Sequence, residues 1–299
     1  MNRPTRCAAC TTMLLLLAAA LATGCRSGPK REDPPPPAAM HHVRLGKQAM
    51  EIGDWRRAVA ELETARQLAP NSFTVAMALG RAYAGRGWHE RALAEFERAE
   101  KLYPRSGEAA LEIGRVWLAK NRLEEAQQAF DRAIEENPRY AAPHFWKGVA
   151  YVAQNRNDKA HEQYRLAIRK DPDYHDAYIN LGLLEQNNGY YEIAERHYRS
   201  ALTIRPRSYL ARVNLGLCYL DQHRYERALA ELNRALELQP KSVPALIARA
   251  MAYEGMDRLE AARRDYRAAL RLAPGATIAR ERLAALEQRM RAPKRSLTD

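Results

Sequence analysis

Seven prolines, Pro70, Pro104, Pro138, Pro172, Pro206, Pro240 and Pro274, stand 34 residues apart without a break. A chain punctuated this way from about residue 39 is a tandem array, each unit copying one short structure that buries its apolar face only against its neighbours. Numbering each unit so that its proline falls at position 32 brings the other columns into line. Position 8 reads Gly46, Gly80, Gly114, Gly148, Gly182, Gly216 and Ala250, and position 20 is alanine from Ala58 to Ala262. Position 27 is alanine from Ala65 to Ala269. Two helices approach closely only where side chains leave room, so columns 8 and 20 read as the contact between helix A and helix B of one unit, and column 27 as the approach of helix B to the next unit. Column 24 is large, Leu62, Phe96, Phe130, Tyr164, Tyr198, Leu232 and Tyr266, and is expected to fill the space between neighbouring hairpins.

Turn residues support this register. Gly53-Asp54, Gly87, Asn121, Asn155, Gly189 and Asp257 fall between helices A and B. Each column-32 proline follows helix B, whose hydrogen-bond ladder it cannot continue. Pro143 and Pro244 fall early in helix A, where a missing N–H costs nothing.

The pattern resembles the tetratricopeptide repeat family over residues 39 to 274. The resemblance implies an all-α, right-handed α-solenoid of seven hairpins, at 39–72, 73–106, 107–140, 141–174, 175–208, 209–242 and 243–276. Residues 277–291 carry Ile278, Leu283, Leu286 and Met290 on one side of a helix and read as a C-terminal cap, leaving a basic tail at 292–299. Three positions depart from the family pattern: Lys147 and Arg249 in column 7 and Glu185 in column 11, where their stems are expected to snorkel.

The first residues bear on location. Arg3 and Arg6 precede an apolar run from Met13 to Ala22, followed by Thr23-Gly24-Cys25, the order of a secretory signal over residues 1–24. The run is half the roughly 20 residues that span a bilayer. Small residues before Cys25 resemble a bacterial lipobox, with Ala22 where leucine is usual, and imply cleavage and lipid attachment at Cys25; ordinary signal cleavage leaving an unmodified thiol is the alternative. Residues 25–38, with four consecutive prolines, read as an extended spacer. Arg26 after the cysteine, in place of an aspartate that would mark inner-membrane retention, implies the periplasmic face of the outer membrane.

The net charge of +12 falls to +10 when Arg3 and Arg6 leave with the signal. Much of it is interleaved, as in Glu95-Arg98, Glu195-Arg199 and Glu231-Arg234, the pattern of a solvated helical face. The segment from Gly275 onward holds six Lys or Arg against three acids and suits an anionic surface or simple solubility. No groove-reading motif accompanies the basic composition, and nucleic acid is not an expected partner. Cys7 and Cys10 fall in the leader, and Cys218 sits at a packing position as an inert thiol.

No catalytic motif emerges. His89-Glu90 and His161-Glu162 start like a zinc-binding helix signature but lack the second histidine. Neither a phosphate-binding glycine loop nor a nucleophile elbow is present, so no enzyme activity, cofactor, metal or small-molecule substrate is expected. The family resemblance places binding on a concave wall made by helix A columns 2, 5, 6, 9, 12 and 13. In repeats 4 to 6 this wall presents Phe145, Trp146, Val149, Ile179, Leu183, Val213, Leu217 and Leu220, with Asn180 and Asn214 recurring in column 6. Such a strip suits a peptide whose apolar residues rest on it while the amides meet its backbone; the alternative is that columns 5 and 9 are half-buried and column-6 asparagine is a family habit. Repeats 1 to 3 face inward with a mixed polar set, Arg44, Lys47, Arg81, Glu108, Glu112 and Arg115 among them, and do not form a carboxylate clamp. The functional expectation is a lipid-anchored scaffold holding another envelope protein, similar in design to lipoproteins that assemble type IV pilus secretins. A periplasmic adaptor recruiting a glycan-acting enzyme, or a soluble adaptor whose leader is misread, are the alternatives.

Overall fold

The computed structural model describes residues 34–291, and the chain divides into two compact units, one ending at Ala109 and the other starting at Ala110. Fifteen helices and no strand occupy the described residues. In the first unit α1 (Pro37–Glu51) pairs with α2 (Trp55–Leu68), and α3 (Phe73–Gly85) with α4 (His89–Leu102). The second unit begins within α5 (Glu108–Ala119), which packs on α6 (Leu123–Glu136). Then come the pairs α7 (Ala141–Ala153) with α8 (Asn157–Lys170), α9 (His175–Asn187) with α10 (Tyr191–Ile204), α11 (Tyr209–Asp221) with α12 (Tyr225–Leu238) and α13 (Val243–Gly255) with α14 (Leu259–Leu272), and the single helix α15 (Thr277–Arg291). Within each unit the second helix of a hairpin packs on the first helix of the next. The expected leader, Cys25, most of the spacer and the basic tail lie outside the described residues. The first helix starts at Pro37, before the expected residue 39, since proline is suited to the first helical position.

The punctuation has a local cause at every boundary. Each helix B ends two residues before its proline, and the residue between, from Ala69 to Ala273, has φ between −129° and −141°, the extended region that a following proline imposes. Two residues after the proline, Ser72, Ser208 and Ser242 accept from the N–H groups of Val75, Ala211 and Ala245 at 3.3 Å and start the next helix A. Such a cap contributes about 1 kcal/mol. The turn between helices A and B requires positive φ in all seven hairpins: Gly53, Gly87, Asn121, Asn155, Gly189, His223 and Asp257 lie between +55° and +80°. His223 was not legible as a turn residue, because histidine is not among the usual left-handed types.

Column 24 meets the next hairpin as expected, Tyr164 receiving Asn180 at 3.2 Å and Tyr198 sharing a cluster with Leu215, and packing adds a contact within its own hairpin. A Cβ on Gly80, Gly148 or Gly182 would stand 2.5 Å from the ring of Phe96, Tyr164 or Tyr198 of the same hairpin. The large residue therefore fills a slot inside its own unit, and the glycine opposite provides the slot. Phe96, Tyr198 and Tyr266 are wholly buried and Tyr164 nearly so, each contributing about 1.5–3 kcal/mol of apolar burial. The alanines of columns 20 and 27 are all at 0 % exposure.

The three departures do not snorkel; each finds a polar partner. Lys147 Nζ donates to Asp131 on the preceding hairpin at 2.5 Å. Arg249 grips both carboxylate oxygens of Asp265 at 2.7 and 2.9 Å and donates to Asn233 of the preceding hairpin at 2.9 Å. Glu185, 8 % exposed, lies 2.9 Å from His161 Nε2. In the terminal helix Leu286 is buried and Leu283 and Met290 pack against hairpin 7, as a cap requires. Ile278 instead stands 59 % exposed, and Ala279 takes the buried place.

Candidate functional site

The ten wall residues expected in repeats 4 to 6 lie on α7, α9 and α11, the first helices of three successive hairpins. Burial divides them. Ile179, Val213, Phe145, Leu220 and Asn214 are 1, 5, 8, 8 and 9 % exposed and belong to the core. Column 5 faces the neighbouring hairpin more than solvent, so Ile179 sits in the cluster with Leu215 and Tyr198, and Val213 in the one with Leu246 and Ala250. Trp146, Val149, Asn180 and Leu217 are partly buried, and Leu183 is exposed. Two exposed residues belong with them: Val152 in column 12 and Leu210 in column 2. Both sit in columns already assigned to the wall.

Phe145 acts as the base of the site rather than its surface. Its ring lies 5.2 Å from Tyr174 and 5.7 Å from Tyr164, and meets Trp146 edge-on at 5.5 Å. This holds the indole in one orientation, and the Arg115 guanidinium stacks 4.7 Å from the Trp146 ring while donating to Glu112 at 2.9 Å. Cation–π stacking of this kind restrains both side chains. Asn180 donates from Nδ2 to the Tyr164 hydroxyl at 3.2 Å, joining hairpin 5 to hairpin 4. Burial pushes the Tyr164 phenol up to about 12, so it stays protonated across the physiological range.

The remaining candidates for chemistry are structural. Cys218 is wholly buried, and burial pushes its thiol up to about 11, away from nucleophilic reactivity. Among the described residues no group of three or more His, Cys, Asp and Glu is placed to share a metal ion, and no helix is long and apolar enough to cross a membrane.

Tetratricopeptide repeat profiles match residues 43–106, 87–141, 111–175, 145–189, 179–243 and 243–275. The chain is a tetratricopeptide repeat protein. No curated protein matches this repeat sequence. Among solved structures, the tetratricopeptide repeat chain is similar to the Cut9–Hcn1 tetramer of the APC/C, with TM-score 0.65 and 16 % identity over 83 % of this chain, and it spans about half, 52 %, of that one. Pseudomonas aeruginosa PilF aligns with TM-score 0.63 and 18 % identity over 71 % of this chain and 97 % of PilF. YrrB, described as a repeat protein with an unusual peptide-binding site, aligns with TM-score 0.52 and 19 % identity over 62 % of this chain and 96 % of its own. At these identities the likeness is one of fold. Tetratricopeptide repeats are typically non-enzymatic scaffolds for protein–protein interaction, and a protein partner is the general expectation for this chain.

Proposed function

We propose that this tetratricopeptide repeat protein is a non-enzymatic scaffold, held by lipid on Cys25 at the periplasmic face of a bacterial outer membrane, that grips a segment of another envelope protein on the wall of repeats 4 to 6. Assembly of an envelope complex, with a type IV pilus secretin as the foremost candidate, is the role. The observation that carries the binding part is the set of apolar side chains on α7, α9 and α11 that reach solvent: Val152, Leu183 and Leu210 exposed, with Trp146, Val149 and Leu217 half-buried. A contiguous apolar surface of this kind marks an interaction site. The peptide-binding site named for YrrB offers a precedent on the same fold. Location rests on the leader and lipobox-like residues before Cys25, and the pilus link on the all-repeat body behind such a leader.

The test uses intact cells of the native host. A photo-crosslinking residue at Leu183 is expected to trap one partner, one at exposed Arg227 on helix B is expected to trap none, and Trp146→Glu should abolish the Leu183 adduct with helicity unchanged. Identifying a secretin subunit or a cell-wall hydrolase in the adduct decides between assembly and enzyme recruitment. Equal trapping from both positions would remove the wall from the account, and retention of Cys25→Ser in the outer membrane fraction would remove the anchor.

A further inference from the structure

The wall of repeats 4 to 7 has a charge pattern opposite to that of the chain. With 48 Lys and Arg in 299 residues the protein is basic, yet none of the six wall columns holds a Lys or Arg in repeats 4 to 7. Wall cations, Arg44, Lys47, Arg81 and Arg115, are confined to repeats 1 to 3. The wall of repeats 4 to 7 carries three acids instead: Asp176, Asp221 and Glu254. Glu254 is saturated, since the Tyr266 hydroxyl donates to it at 2.9 Å and Arg289 and Arg282 stand at 3.3 and 3.6 Å. The other two are not. Asp176 is exposed and uses one oxygen for His175 Nδ1 at 2.7 Å, with Arg205 at only 4.0 Å. Asp221, also exposed, receives Gln186 Nε2 on one oxygen at 2.7 Å. Each keeps a second carboxylate oxygen for a ligand.

From this we infer that the segment held by the wall is an amphipathic one whose aliphatic residues meet Leu183 and Leu217 and whose flanking lysines or arginines pair with Asp176 and Asp221. The inference rests on the wall reading above and specifies the chemistry of its partner. Asp176 opens α9 and Asp221 closes α11, so the two acids bracket the apolar strip at opposite edges. Helix rise and hairpin spacing put them about 20 Å apart along a diagonal, the reach of a helix of about 13 residues. An acidic segment would meet Asp176 and Asp221 at the two edges, while the cation beside Trp146, Arg115, is already paired with Glu112; this costs affinity wherever like charges face each other.

The experiment measures fluorescence anisotropy of two labelled 16-residue synthetic peptides with the same helical leucine face, one with lysine and the other with glutamate at the polar end positions. At low salt the lysine peptide is expected to bind wild type about fivefold to tenfold more tightly, the difference that two exposed ion pairs supply, and the gap should close at 0.5 M salt. Asp176→Asn with Asp221→Asn should erase the preference while keeping the melting profile, and Leu183→Glu should weaken both peptides. A glutamate peptide that binds as well or better, or a preference that survives the double amide variant, overturns the basic-segment inference while leaving the wall in place. Failure of both peptides to bind, or indifference to Leu183→Glu, overturns the wall itself. Concentration-dependent dimerisation abolished by Leu183→Glu would seat a second copy of this chain there and overturn the assignment to a separate partner.

Discussion

A glycine in column 8 is there for the ring it faces. Replacing Gly148 by alanine puts a methyl group 2.5 Å from the Tyr164 ring, which is 1 % exposed and has no room to withdraw. Overpacking costs about 1–3 kcal/mol and the better helix propensity of alanine returns up to about 1 kcal/mol. Gly148→Ala is therefore expected to lose about 1–2 kcal/mol in a denaturant titration. Gly275→Ala, where nothing lies within 4 Å of the added atom, should stay within about 0.5 kcal/mol of wild type. Equal losses at both sites would mean that the slot does not control the fit. Ala250 shows the boundary of the rule, since it faces Tyr266 with both residues at 0 % exposure; nothing in the structure explains why this hairpin alone accepts the methyl group.

Between the two helices of a hairpin, polar pairs recur beside the apolar contacts. Columns 4 and 23 form cross-hairpin rungs: His42 with Glu61 at 2.8 Å, His144 with Gln163 at 3.0 Å and Arg212 with Glu231 at 2.7 Å. Arg249 adds a two-sided clamp, joining α13 to both α14 and α12 through Asp265 and Asn233. Removing one partner of a buried pair leaves the other without compensation, whereas replacing both by apolar groups is often neutral. Arg249→Leu is expected to cost about 2–3 kcal/mol, discounted for the partial exposure of Arg249. Adding Asp265→Leu should recover at least half of that loss. Strict additivity of the two changes in the thermal melts would show that the clamp contributes no coupling.

At the scale of the molecule, stability in an array is a sum of unit and nearest-neighbour contributions, so local titration sets where unfolding begins. Burial lowers the pKa of His144, with Lys170 and Lys147 adding to the shift, and burial likewise lowers that of His197, which lies among Glu185, His161, Arg196 and Arg165. A histidine depressed in the folded state is neutral there while the unfolded chain takes up a proton. Its contribution is fully present above the unfolded value near 6.5 and is lost as pH falls below it. Hairpins 4 and 5 should thus loosen first under acid, with faster amide exchange in α7 to α10 at pH 5 than at pH 7.5. His197→Phe, which keeps a ring against Tyr178, should flatten the pH dependence; an unchanged slope would relieve this histidine of the role. The period of 34 made the helical hairpins, their proline stops, their small-residue columns and the terminal helix legible in the residues alone, because backbone chemistry and side-chain volume at fixed offsets act locally. Their columns likewise put Leu183 and Trp146 on the first helices of hairpins 5 and 4, where the one is exposed and the other half-buried. Tertiary structure alone decided that column 24 also slots against the column-8 glycine of its own hairpin, that Ile179 and Val213 are core rather than surface, that His223 holds a left-handed turn and that Lys147, Arg249 and Glu185 are paired. Those outcomes depend on which side chains from distant positions share one space, and repeat spacing names the neighbours without saying how deeply each is covered.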